Sequence, residues 1–244
     1  MNLRASENIR LFGMKVFFNE ITNLYKLKKM PTKILLSGKK GLGKSTLAYH
    51  IVNYILSENE QYRYDFTKYI INKENKSFKL VQNNTHPNFY LIDLLNDKKN
   101  IVISQIRNVI SYSNKSSFNV MPRLILIDNI ETLNRNSVNA LLKIIEEPNQ
   151  NVYFILINNN EKLILPTLKS RCLTFKINFT FEQSMFVSSQ ILNSNLLDFI
   201  NIELINYYTT PGEIINLINF SKEKNINLKN YTLVNLLNHL IDNS

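Results

Sequence analysis

Five short apolar runs punctuate the chain, at 33–37, 89–94, 123–128, 152–158 and 173–177. Runs this apolar predict strands covered on both faces, hence a parallel sheet with helices packed around it. Between them, at 14–27, 44–56, 104–113 and 135–147, apolar positions recur at helical spacing. Five strands alternating with crossover helices predict an α/β, doubly wound domain. Beyond about residue 178 the strand signal stops, and helical patterns follow at 181–192, 196–208 and 211–224. Pro211 suits the first turn of the last of these, with Thr210 as its N-cap. Residues 230–244 predict one more short helix. The stretch 58–84, rich in Lys, Asn, Tyr and Gln, reads as a mobile insertion between the first two strands.

The 244 residues are 44% hydrophobic, enough for a sizeable core in one large or two modest domains. A formal net charge of +10 would suit a polyanionic partner such as DNA, although Lys scattered among abundant Asn and Ile also fits simple compositional bias. The single cysteine, Cys172, excludes an intramolecular disulfide framework and fits a reducing compartment. No secretory leader and no run of membrane-spanning length is visible, which predicts a cytoplasmic, soluble protein with no membrane partner.

Three of only five glycines fall in Gly38-Lys-Lys-Gly41-Leu-Gly43-Lys44-Ser45-Thr46, directly after the first apolar run. The G-x-x-x-x-G-K-[ST] spacing lets backbone N–H groups converge on phosphate oxygens. Lys44 adds a point charge on the terminal phosphates and Ser45 offers a hydroxyl to Mg²⁺. A helix opening at Gly43 brings its positive dipole end to the same anion.

The apolar run 124–127 ends in Asp128, the form of a Walker B strand whose carboxylate orients Mg²⁺ opposite Ser45. The plainer reading of Asp128, a cap on the turn after an ordinary strand, yields to the presence of the upstream loop. Asn129 follows where many ATPases of this layout carry a water-activating glutamate. An amide cannot accept a proton at neutral pH, so the pattern suits holding a nucleotide better than cleaving it. Glu131, three positions past Asp128, is expected to point elsewhere.

The text from Arg123 to Pro148 resembles AAA+ clamp-loader subunits of bacterial DNA polymerase III, nearest in look to the delta-prime type. Leu11-Phe-Gly13, Thr85-His-Pro-Asn88, Ser104-Gln-Ile-Arg107, Asn139-Ala-Leu-Leu-Lys143, Glu146-Glu-Pro148 and Ser170-Arg-Cys172 agree with it, over about residues 11 to 220. The resemblance implies an AAA+ domain at 1–178, a helical lid at 179–227 and a collar remnant at 228–244. It also implies ATP with Mg²⁺ as ligands, other clamp-loader subunits as partners, and a sliding clamp and primed DNA reached through the complex. Arg171 matches the arginine that such subunits extend to a neighbour's ATP; taken alone, an Arg here would read as a surface ion-pair partner. Asn159, with Asn158 as second choice, matches the polar sensor near the γ-phosphate.

Departures matter as well. Family members often carry a four-cysteine zinc module after the first helix; Lys, Asn and Tyr stand there in this chain, so no zinc is expected. Glu213 stands where the lid's nucleotide-facing arginine would be. Cys172 reads as a small buried residue and His86 as a shaper of strand entry. Two alternatives stay open: an autonomous or catalytic AAA+ ATPase with Glu131 as base, and a P-loop nucleotide kinase.

Overall fold

The computed structural model describes residues 4–95, 98–114, 121–205 and 209–242, without the side chains of 239, 240 and 242. Two compact units emerge, one of residues 4–39 and 44–177, the other of 40–43 with 178 onward. In the larger unit the strands are β1 (Lys33–Ser37), β2 (Phe89–Ile92), β3 (Arg123–Ile127), β4 (Val152–Asn158) and β5 (Leu173–Lys176). All pair in parallel, in the order β2-β3-β4-β1-β5. The helices are α1 (Lys15–Lys26), α2 (Lys44–Leu56), α3 (Lys76–Gln82), α4 (Ile103–Asn114), α5 (Arg135–Glu146) and α6 (Pro166–Lys169).

Consecutive residues of β1, β3 and β4 point to opposite faces, yet Ile34, Leu35, Leu36, Ile125, Leu126, Ile155 and Leu156 are all buried. Both faces of the sheet are therefore covered, which is why these strands read as unbroken apolar runs. One layer packs Ile106 and Val109 of α4 and Val138, Leu141 and Ile145 of α5 onto Leu35, Ile125 and Phe154.

Residues 58–84 depart from the expected mobile insertion. Phe18 of α1 stacks on Tyr64 (centroids 4.9 Å apart) and meets Tyr54, Phe66 and Tyr69 at 5.8–5.9 Å. Tyr64, Ile71, Phe78 and Val81 are buried. Asn75 caps α3 by accepting from the Phe78 N–H at 2.6 Å and also accepts from Asn53 Nδ2 at 2.9 Å. Sparse aromatic residues with no helical or strand period order this segment. His86 and His50 are held in neutral form: Asn88 N–H donates to His86 Nδ1, so its Nε2–H faces Ser77 Oγ at 3.0 Å. The Asn8 carbonyl accepts from His50 Nε2 at 3.0 Å while the Tyr64 hydroxyl donates to Nδ1 at 2.8 Å. Burial pushes the His50 pKa down to about 4, against the raising effect of its bond to Asn8.

In the smaller unit α7 (Phe181–Leu192), α8 (Pro211–Glu223) and α9 (Leu233–Asp242) enclose a core of Leu196, Ile200, Ile205, Ile214, Ile218, Leu228 and Leu236. Thr180 with Gln183 and Thr210 with Glu213 form capping boxes, and Pro211 occupies the first turn of α8 as expected. The continuous helix expected at 196–208 is instead two 3₁₀ turns, Leu196–Asp198 and Ile202–Leu204. Asn195 and Asn201 divert the chain: each side chain accepts from a backbone N–H two residues on, and the Asn201 N–H donates to the Leu228 carbonyl. The end of that expected helix, 206–208, and the last two residues of the one at 230–244 lie outside the described residues, as does the His239 side chain.

Candidate nucleotide site

β1 delivers the glycine-rich loop and α2 begins at Lys44, so the loop spans the strand-to-helix turn that a phosphate cradle requires. Gly41 and Gly43 hold φ of +83° and +90°, left-handed conformations that side-chain-bearing residues rarely adopt. The Gly38 N–H is bound to the Asn158 carbonyl, which ties the loop's start to β4. Lys44 is 2% exposed, and its Nζ donates to the Lys39 carbonyl at 2.6 Å. Thr46 Oγ1 accepts from Asn8 Nδ2 at 3.3 Å.

Ser45 and Asp128 come together across 83 residues of sequence, Ser45 Oγ donating to Asp128 Oδ2 at 2.5 Å. The other carboxylate oxygen accepts from the Asn129 N–H at 2.7 Å. Burial raises the Asp128 pKa, opposed by the Ser45 hydrogen bond. A cation at this carboxylate would relieve that desolvation. The buried lysine and the hydroxyl–carboxylate pair fit a Mg²⁺-nucleotide.

Asn129 adopts a left-handed conformation (φ 55°) immediately after β3. Its Nδ2 donates to Asp93 Oδ1 at 2.7 Å, and its Oδ1 accepts from Asn159 Nδ2 at 2.8 Å. Asn158 spends its amide on the adjoining turn, donating to Asn160 Oδ1 at 2.7 Å and to Ser37 Oγ at 3.3 Å. Of the two sensor candidates, then, Asn159 joins the turn that follows Asp128. Glu131 is 7% exposed, and both its carboxylate oxygens accept from the Asn159 N–H at 3.2 Å. Its carboxylate secures the end of β4.

Asp93 escaped the sequence reading. Its signal was positional: Ile92 pairs with Ile127, so the residue after β2 stands beside Asp128. Tyr49 registers the pair, its pKa raised first by burial and then by the charges of Asp128 and Asp93.

Arg171 lies apart from this cluster, following α6. It pairs with Glu146 and donates to the Thr167 carbonyl at 2.9 Å. Cys172 is half-buried, its thiol pushed up to about 11 by burial, in line with a packing role. Glu213 accepts from the Thr210 N–H at 2.7 Å and the Thr210 hydroxyl at 2.9 Å, so its carboxylate caps α8. Among the described residues no helix is long and apolar enough to cross a membrane, and no group of three His, Cys, Asp or Glu could hold a metal ion.

A glycine-rich loop opening α2 from a β1 flanked by β5 and β4, with a carboxylate ending β3, defines a P-loop domain of AAA+ type. The family model described as DNA polymerase III, delta subunit, matches residues 13–180, and the chain belongs to that family. It is 33% identical over 232 residues to the DNA polymerase III subunit gamma of Buchnera aphidicola subsp. Schizaphis graminum, covering 91% of this chain and 61% of that one. It is 28% identical over 186 residues to the subunit delta' of Buchnera aphidicola subsp. Baizongia pistaciae, covering 73% and 54%. With the subunit delta' of Pseudomonas aeruginosa it shares 30% identity over 138 residues, covering 57% and 40%. The chain thus spans about half the length of these curated relatives. Among solved structures, a gamma subunit-related protein of Thermotoga maritima is similar at 18% identity and a TM-score of 0.46, covering 71% of this chain and 52% of that one.

Proposed function

We propose that this chain is a clamp-loader subunit that binds ATP with Mg²⁺, hydrolyses it little or not at all, and lends Arg171 to the ATP of a neighbouring subunit. In this reading residues 1–178 form the nucleotide-binding domain, 179–227 the lid and 228–244 part of a collar domain, with no zinc. Its partners are the other clamp-loader subunits in the cytoplasm; the sliding clamp and primed DNA are reached through the complex. Gly38, Gly41, Gly43 and Thr46 would line the phosphates, Lys44 would neutralise the terminal ones, and Ser45 and Asp128 would hold the metal. Mg²⁺ supplies charge neutralisation to the phosphates when bound.

One observation carries the reading: the Ser45–Asp128 pair is intact while the carboxylates around it are engaged elsewhere. Position 129 is an amide, and Glu131 is spent on the Asn159 N–H. A metal-binding half in which neither position 129 nor Glu131 stands ready as a general base favours retention over cleavage. The catalytic gamma-type alternative draws on the 33% identity to a gamma subunit and would need a base that Asn129 cannot provide. The kinase alternative finds no support in the Arg171 segment.

The test measures ATP and ADP binding to the purified chain by calorimetry with and without Mg²⁺, beside its ATPase rate alone and with clamp-loader partners. Mg²⁺-dependent binding with negligible turnover alone is expected. Absence of binding, or turnover by the isolated chain at a motor's rate, would overturn the proposal.

A further inference from the structure

A directional chain of hydrogen bonds runs beside the candidate site. It starts at Gln105 of α4, within the Ser104-Gln-Ile-Arg107 motif, whose Nε2 donates to the Asp93 carbonyl at 2.9 Å. Gln105 Oε1 accepts from the Val102 N–H at 3.1 Å, so this amide has a fixed orientation. Asp93 Oδ1 then accepts from the Leu94 N–H and from Asn129 Nδ2, each at 2.7 Å. Asn129 Oδ1 accepts from Asn159 Nδ2 at 2.8 Å, and Glu131 fixes the Asn159 backbone from the other side.

The Asp93 carboxylate, accepting from both Leu94 and Asn129, decides the direction of the whole chain. It accepts hydrogen bonds and donates none, whereas a primary amide offers a donor on one side and an acceptor on the other. With Asp93 in place, Asn129 must turn its NH₂ toward Asp93 and its oxygen toward Asn159. Asn159 must then present its NH₂ to Asn129, and its own orientation is settled without any contact to Asp93.

We propose that Asp93 is a positioning residue that, through Asn129, sets the amide orientation of Asn159 and thereby the preference of the site for a nucleoside triphosphate over a diphosphate. This rests on the reading of Asn159 as the residue facing the γ-phosphate. Asp93 touches no reacting atom in this scheme. It supplies an acceptor-only end to a relay whose other members are ambiguous on their own.

The experiment compares the affinities of the purified chain for ATPγS and ADP, each with Mg²⁺, in the parent, Asp93→Ala and Asp93→Ala/Asn129→Asp. Removing the carboxylate frees Asn129 to turn, and the preference for ATPγS is expected to fall about tenfold, the scale of one well-placed hydrogen bond. In the double variant the carboxylate at 129 again only accepts, so Asn159 regains its orientation and the preference returns. Urea midpoints are recorded for all three proteins; a merely structural role would weaken both nucleotides together and would not be rescued by Asn129→Asp. An unchanged ratio in Asp93→Ala, or a double variant as indifferent as the single one, overturns the inference while the phosphate-loop reading stands. A parent that binds both nucleotides equally removes the role of Asn159 and this inference with it. A parent that binds neither overturns the functional reading itself.

Discussion

Arg171 and Glu146 form a 2.7 Å ion pair between the second residue after α6 and the last residue of α5. The side chains are 38% and 50% exposed, so water screens the pair and it contributes only about 0.2–1 kcal/mol to stability. A weakly held guanidinium at the surface is free to exchange partners. Arg171→Ala in a reconstituted complex is expected to slow ATP turnover about 10³-fold, as for other arginines supplied in trans, while the chain's own nucleotide affinity stays unchanged. Arg171→Lys should not rescue, since an ammonium lacks the planar fork. Steady-state ATPase with primed DNA is the measurement; unchanged turnover would leave Arg171 as the surface ion-pair partner it also is.

The Ser45 hydroxyl is the nearest polar partner of a carboxylate that burial makes reluctant to ionise. Ser45→Ala is expected to lower stability by roughly 1 kcal/mol and to abolish the Mg²⁺ dependence of nucleotide binding. Calorimetry in Mg²⁺ and in EDTA checks this. Persistence of a large Mg²⁺ effect would show that the metal is held by other groups.

His50 gives the chain a specific acid sensitivity. Its folded pKa of about 4 lies below the ordinary 6.5, so the unfolded chain binds the extra proton first. Stability from this group is complete above pH 6.5 and declines as pH falls toward 4, with about 2 kcal/mol gone by pH 5. His86, also lowered by burial, acts in the same direction. Urea midpoints between pH 7.5 and about 5 should fall, and fall less steeply in His50→Gln. Equal slopes would show that other groups carry the acid response.

Phe18 is fully buried at the centre of the aromatic cluster that orders the 58–84 segment. Phe18→Ala is expected to cost about 3–5 kcal/mol and to make that segment the first cut in limited proteolysis. Cleavage beginning elsewhere would mean that α3 and its Asn75 cap suffice to hold it.

The sheet was legible because apolar runs covered on both faces leave a plain trace, and the loop at 38–46 together with Asp128 announced themselves by spacing. Other features depended on contacts that no local pattern encodes. Residues 58–84 looked loose because Lys and Asn outnumber the few aromatic side chains that converge on Phe18. The helix expected at 196–208 ignored how readily Asn195 and Asn201 claim nearby backbone donors. Glu131 showed as a carboxylate near the site, but its commitment to the Asn159 N–H depends on how β4 ends beside β3. Asp93 lay at a strand end whose neighbour becomes apparent only once β2 is set against β3.

The left-handed turn at Asn129 limits which side chains position 129 can carry. Asparagine tolerates φ 55° where a longer side chain is strained, and carboxylates already stand on either side at Asp93 and Asp128. A glutamate introduced there would meet mutual repulsion as well as a reluctant backbone. On the proposed reading, placing a general base at position 129 would therefore take a compensating change at Asp93 as well, because the two carboxylates would face each other across the contact that Asn129 now makes.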